Sequence, residues 1–317
     1  MTKVVVFFFA AAVSISGSFA AQIRAQPPTN QKVRTVSIPI SIFTKQELRE
    51  GQAEELLQVD QLTVKENREE MTILSIRSVV DAPLALAVLI QDDLTSSFNL
   101  QIRDVARFIR GLPKGSRVMV GYIRGGSVQI RQRFTNDLEN AASSLRIVTS
   151  SSVSSPRNPF DGLVDALNRF DALPAGRRAV LLVSDGLDLS SGISGASPGQ
   201  SIDLERSIQR AQRKNVAVFA FYSPTVLTDS GNTQRVLFGQ GSLERLADET
   251  GGRAFFQGTI APISFDPFFR ELGVLLTRQF LLTYLSTNMK RGYYRVEVTT
   301  TTPDVKIEHP KGYYYRR

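Results

Sequence analysis

Two stretches of this chain place carboxylates and hydroxyls where oxygen-ligand chemistry is feasible. In "VLIQDDLTSS" an unbroken apolar run ends at Asp92 and Asp93, and Thr95 and Ser97 follow at alternate positions. In "VLLVSDG" a second apolar run ends at Asp185. Adjacent acids repel unless a cation or a set of donors faces them. Within Asp93-x-Thr95-x-Ser97, alternate residues of a tight loop after a strand project to one side. Carboxylates and hydroxyls from separate loops form a hard donor set, suited to Mg²⁺, Ca²⁺ or Mn²⁺ rather than softer metals. Asp92 is expected to point away from Asp93, toward an arginine such as Arg124.

Other chemistries drop out by residue type. The chain has no cysteine, which removes disulfides, thiolate catalysis and Cys/His zinc sites. Its one histidine, His309, lies in an apparent C-terminal strand and reads as structural, so Ser-His-Asp and His-based acid/base mechanisms are disfavoured. "QDDLT" is similar to a phosphatase signature whose nucleophilic aspartate would fall on Gln91, and an amide forms no acyl-phosphate. "GASPGQS" lacks the lysine of a phosphate-binding loop. No enzymatic activity is expected.

The elements that must position these residues follow from periodicity. Residues 33–80 alternate apolar and polar in strand fashion, with a charged loop or short helix between strands. From Leu84 strands and helices alternate. "FNLQIRDVARFIRGL" and "FDGLVDAL" read as helices, and Gly125-Gly126 joins two strands in a hairpin. Residues 223–241 read as a long rim loop before a helix that starts at "GSLERLADETGG", and "RAFFQGT" reads as a strand. Such alternation predicts an α/β fold: a Rossmann-like, doubly wound, mostly parallel sheet with functional loops at the carboxyl ends of its strands. The α/β unit is assigned to 82–282, and the chain returns to β over 283–317. The two β-rich flanks, 33–80 and 283–317, are expected to meet as one extra β domain into which the α/β unit is inserted.

The first 20 residues read as an export signal: one lysine, a short apolar run from Val4 to Val13, then Ser18 and Ala20 at the −3 and −1 positions. The run is too short to span a bilayer, which takes about 20 apolar residues. A polar leader, 21–32, follows. The expectation is a periplasmic or extracellular protein with no integral membrane segment after cleavage. A net charge of +8 favours anionic partners such as envelope polymers or acidic proteins. No nucleic-acid-binding motif is recognisable, so nucleic acid is not an expected partner.

These residues resemble the von Willebrand factor A domain. Its metal-ion-dependent adhesion site combines Asp-x-Ser-x-Ser, a threonine two helices later and an aspartate after the central strand. "DLTSS" (Asp93, Thr95, Ser97) is similar to the first element, with Thr for the first Ser, and "LLVSDG" (Asp185) to the last. With its β-rich lead-in and the tail "GYYRVEV…KGYYYR", the chain resembles the secreted bacterial VWFA-related proteins. The resemblance implies a non-enzymatic adhesion protein that binds Mg²⁺ or another divalent cation. Its partner would be a protein or cell-envelope ligand presenting an acidic side chain.

One position departs from the pattern. Aligning "NPFDGLVDAL" puts Asp161 where the threonine belongs, so Asp161 is a possible ligand. Alternatively, Asn158 as N-cap, Pro159 at N1 and Asp161 at N3 make a well-formed helix start, and Ser154 or Ser155 supplies a hydroxyl. If the site is degenerate, the second reading is a metal-independent scaffold or polyanion-binding protein using its basic surface.

Overall fold

The computed structural model describes residues 32–50, 62–78, 83–150, 158–173, 176–190, 192, 194–229 and 231–315. The expected export signal, the expected leader up to residue 31, and Ser154 and Ser155 lie outside them. The chain opens with β1 (Arg34–Thr44), α1 (Lys45–Glu50), β2 (Leu62–Glu66), β3 (Glu69–Met71) and β4 (Ile73–Ser78). An alternating run follows: β5 (Leu84–Gln91), α2 (Ile102–Arg110), β6 (Arg117–Arg124), β7 (Ser127–Thr135), α3 (Leu138–Ser143), α4 (Pro159–Asn168) and β8 (Arg177–Ser184). It continues with α5 (Ile202–Lys214), β9 (Ala217–Tyr222), α6 (Val226–Asp229), α7 (Thr233–Thr250), β10 (Ala254–Phe255) and α8 (Asp266–Thr277). The last strands are β11 (Gln279–Ser286), β12 (Gly292–Thr300), β13 (Val305–Glu308) and β14 (Gly312–Tyr315).

The alternating run builds a six-stranded sheet in the order β10-β9-β8-β5-β6-β7. All pairs are parallel except the β6–β7 hairpin, whose Gly125 and Gly126 both have positive φ. Every residue of β5 is buried, because helices cover both faces of the sheet. Its side chains alternate between two cores. Leu84, Leu86, Val88 and Ile90 join Val105 and Ile109 of α2 and Leu272 and Leu275 of α8. Ala85, Ala87 and Leu89 join Phe160 of α4, Ile208 of α5 and Leu243 of α7. The fold class is therefore the predicted one: α/β, with a mostly parallel, doubly wound central sheet and antiparallel sheets beside it.

Both flanks contribute to two antiparallel sheets, β13-β1-β11-β4 and β14-β12-β2-β3. β1 pairs with β11 from Arg34↔Ser286 to Ser41↔Gln279, and the end of β4 faces the start of β11 at Ser78↔Phe280. The two sheets share a core that includes Ile38, Ile40, Val64, Tyr284 and Val296. Within it lies the carboxylate of Glu66, which is fully buried. It accepts from Tyr284 (2.9 Å), Tyr313 (2.8 Å), Ser286 (2.7 Å) and Asn288 (2.7 Å).

Two local expectations are corrected. The predicted loop over 223–241 is mostly helical, and α7 begins at Thr233 behind the Asn232 N-cap rather than at Gly241. Gly239 is needed for close approach: a Cβ on it would lie 2.1 Å from the Asp185 carbonyl oxygen. The predicted strand "RAFFQGT" shrinks to Ala254–Phe255, which pair with Ala220 and Phe221.

Candidate metal centre

The chain runs outward from the middle of the central sheet in two directions, β5→β6→β7 and β8→β9→β10. β5 and β8 are adjacent and parallel, in register through Ile90↔Val183, so the sheet's switch point lies between them. In open α/β sheets a crevice forms there, outside the carboxyl ends of the strands. Asp93 follows β5 and Asp185 follows β8. The two predicted acids thus flank that crevice.

Gln91 ties the two strand ends together. Its Oε1 accepts from Ser184 Oγ (2.6 Å) and from the Asp185 backbone N–H (3.1 Å). This explains an amide at that position, since a carboxylate would bring a further charge into a buried place. The turn beyond Asp185 closes through Gly186, whose φ of +69° suits glycine. A Cβ at Gly186 would meet the Gly239 carbonyl oxygen at 2.3 Å, so α7 lies directly against the turn.

Asp185 is only 1% exposed. Its Oδ1 accepts from Leu187 N–H (3.1 Å) and its Oδ2 from Thr225 Oγ1 (2.7 Å). Burial pushes its carboxyl up to about 6, and the negative charge of Asp93 pushes the same way while Thr225 opposes. The buried phenol of Tyr222 stands beside these groups and is pushed up to about 12, chiefly by burial. Asp93 itself is half-buried. Thr95 and Ser97 bring their hydroxyl oxygens to 2.7 Å of each other at the surface, so these two alternate residues face one side. The loop is held by Thr95 N–H donating to the Pro224 carbonyl (2.9 Å) and by the Leu94–Thr225 bridge.

Asp92 turns the other way. It is buried and pairs with Arg146 at 2.7 Å, with Arg124 at 3.9 Å. Arg146 is stacked over the Tyr122 ring, 4.1 Å from its centroid. Arg124 is therefore the more distant cation, and Arg146 is the contact the sequence did not point to.

Asp161 sits at the start of α4 as the helix-cap reading describes. Asn158 Oδ1 accepts from Phe160 N–H (2.9 Å) and Asp161 N–H (3.3 Å), with Pro159 at the first position. The Asp161 carboxylate is bound by Arg206 (3.1 Å) and by Asn158 Nδ2 (3.1 Å), so it faces α5. Burial raises its carboxyl above the usual range, and the charges of Asp203 and Asp188 add to that. The structure brings Asp93, Thr95, Ser97 and Asp185 to the switch point and places Asp161 in this second acidic group. His309, the excluded histidine, is buried and accepts from Val298 N–H (3.2 Å).

Sequence reasoning missed Thr225, Gln91 and Gly239 as parts of the site. Thr225 carried a signal: it lies three residues past β9, again at a carboxyl strand end. Two carboxylates with hydroxyls fit a hard cation that keeps several of its waters, as Mg²⁺ does. Among the described residues no group of three or more His, Cys, Asp or Glu side chains is arranged to hold a metal. Any cation here would depend on the hydroxyls of Thr95 and Ser97.

No family model matches the sequence, and no curated protein matches it. Solved structures do. BatB from Bacteroides thetaiotaomicron is 13% identical, covering 60% of this chain and 95% of its own, with a TM-score of 0.43. An aerotolerance-related membrane protein from Bacteroides fragilis is 12% identical, covering 56% and 92%, with a TM-score of 0.42. A von Willebrand factor type A protein from Catenulispora acidiphila is 12% identical, covering 91% and 74%, with a TM-score of 0.40. The solved structures it matches thus include von Willebrand factor A-type proteins.

Proposed function

We propose that this is an exported, non-enzymatic binding protein that engages a protein or envelope ligand through the carboxyl rim of its central sheet. A divalent cation held by Asp93, Thr95 and Ser97, with Asp185 behind them directly or through water, completes the surface. The observation that carries this reading is the placement of half-buried Asp93 and buried Asp185 just beyond the carboxyl ends of two adjacent parallel strands at the switch point. Two acids of like charge are costly there unless a cation offsets them. When bound, the cation would supply an open position for an acidic side chain of the ligand. Gln91 and Thr225 orient Asp185, and the Thr95–Ser97 pair presents oxygen to solvent.

The rim also carries apolar groups suited to a protein partner. Leu100, Ile147, Ile260 and Ile263 are 77%, 65%, 66% and 87% exposed. Hydrogen bonds from Gln101 to the Ile263 carbonyl (2.8 Å) and from Asn99 to the Val148 carbonyl (3.2 Å) hold their loops beside the segment that follows β5. Exposed apolar groups clustered at a polar crevice mark interaction surfaces. No helix among the described residues is long and apolar enough to cross a membrane.

Calorimetric titration with Mg²⁺ and Mn²⁺ tests this reading. Saturable binding that vanishes in Asp93→Ala supports it, and no binding by the native chain overturns it. Ligand capture that survives EDTA but weakens steeply with salt would instead favour a polyanion-binding scaffold, consistent with the net charge of +8.

A further inference from the structure

β7 is the outer strand of the central sheet, with β6 on its inner side. The hairpin turns through two residues, Gly125 and Gly126, so Arg124↔Ser127 is a hydrogen-bonded pair. Bonded and non-bonded pairs alternate from there, which makes Ile123↔Val128 a non-bonded pair. The Ile123 carbonyl agrees: it accepts from Asp92 N–H (2.9 Å), on the side of β5. The N–H and C=O groups of Val128 and Ile130 therefore point away from β6. At that edge they have no hydrogen-bond partner among the described residues.

The two faces of β7 differ. Val128, Ile130 and Phe134 are partly buried and pack on the core that holds Phe160 and Leu163 of α4. Ser127, Gln129, Arg131 and Arg133 alternate with them and are exposed. Arg124 lies opposite Ser127, shares that face, and is 65% exposed. Neither the Arg131 nor the Arg133 guanidinium has an ion pair or a hydrogen bond among the described residues. The buried Asp92 carboxylate is already held by Arg146, and Asp137, past the strand, caps α3 through Asn140 N–H (2.9 Å). Arg124, Arg131, Arg133 and Arg146 thus outnumber these two acids, and the face is positive.

We propose that the β7 edge takes up an extended acidic peptide as an added strand. Main-chain bonds to Val128 and Ile130 hold it, and alternate side chains decide which peptide fits. Its carboxylates lie on the face of Arg131 and Arg133, and its aliphatic residues on the face of Val128 and Ile130. A second copy of this chain is not that strand, because antiparallel pairing of β7 with itself sets arginine against arginine. The register shifts beyond Ile130, so the regular edge is short and suits a segment of about five or six residues. No part of this contact uses the candidate cation.

The test is a fluorescence-anisotropy titration of the full chain, in EDTA, against the dye-labelled peptide Glu-Val-Glu-Val-Glu-Val. Saturable binding is expected, weakening as salt is raised. The same peptide with Lys for Glu should not bind. Two further peptides carry N-methyl groups on every Val or on every Glu, which removes the donors along one edge or the other. One of these two should fail to bind, and which one reports whether the added strand runs antiparallel or parallel to β7. The double variant Arg131→Gln/Arg133→Gln, both exposed and so expected to fold, should weaken the acidic peptide about tenfold. Absence of saturable binding, equal binding of the Lys peptide, both N-methylated peptides binding like the parent, or unaltered affinity in the double variant would each overturn the proposal. Because EDTA is present throughout, none of these results bears on the candidate metal centre.

Discussion

Thr225 Oγ1 donates to Asp185 Oδ2 at 2.7 Å, binding the segment after β9 to the buried acid at the end of β8. The bond opposes the burial that pushes the Asp185 carboxyl upward. Thr225→Val keeps the shape and removes the donor. It should raise the Asp185 pKa above about 6 and cost about 1–2 kcal/mol at pH 7.5. Carboxyl titration by NMR and chemical denaturation read the two effects, and an unmoved pKa would show that the bond does not stabilise the ionised form.

Stability in EDTA should depend on pH in a defined direction. The folded-state pKa of Asp185, about 6, lies above the ordinary value, so folding favours its protonated form. Its contribution is present below about pH 4 and is lost as pH rises through the window from about 4 to 6, for a total near 3 kcal/mol. Asp185→Asn removes that slope and should be more stable than the native chain at pH 7.5 in EDTA. Denaturation midpoints across pH check this, and a stability that rises over the window would refute it.

Asp93→Ala removes the like charge next to Asp185. In EDTA the Asp185 pKa should fall, because Asp93 helps to hold it up. In millimolar Mg²⁺ the native chain should gain several degrees in Tm and the variant none. A Tm gain of the same size in both proteins would place the cation elsewhere.

Gly239→Ala puts a methyl group 2.1 Å from the Asp185 carbonyl oxygen. Backbone on both sides leaves little room to yield, so a loss of at least about 2 kcal/mol is expected, together with weaker Mg²⁺ binding. Gly273→Ala, whose Cβ meets nothing within 4 Å, is the matched control and should be neutral or slightly stabilising.

Glu66→Ala leaves four donors, Tyr284, Tyr313, Ser286 and Asn288, without their acceptor in a buried core. The expected cost is about 3–5 kcal/mol, with no direct effect on cation affinity. Urea denaturation and calorimetry separate the two.

The sheet was legible because β5, β8 and β9 are short apolar runs between helical patterns, and each ends in a polar residue. The "DLTSS" and "VSDG" loops were legible for the same reason: a buried strand that stops at an acid needs a purpose for it. Thr225 was not, because no spacing rule ties a hydroxyl after one strand to an acid after its neighbour. The start of α7 was missed because Gly239 and Gly241 oppose helix propensity, and contact with the Asp185 turn explains Gly239. Arg146 escaped for a similar reason. It reaches Asp92 from a loop more than 50 residues away, and the sequence offered Arg124 first.

The pairing Ser78↔Phe280 has a mechanical consequence. The α/β unit departs from β4 and returns in β11 at points one strand spacing apart, about 4.8 Å. Tension applied at Arg34 and Tyr315 therefore passes from strand to strand through the ladders of β1, β11 and β12, and does not stretch the unit that carries Asp93 and Asp185. A ligand gripped at the rim would feel a pull only as torque on a rigid body, until the ladder between β4 and β11 gives way.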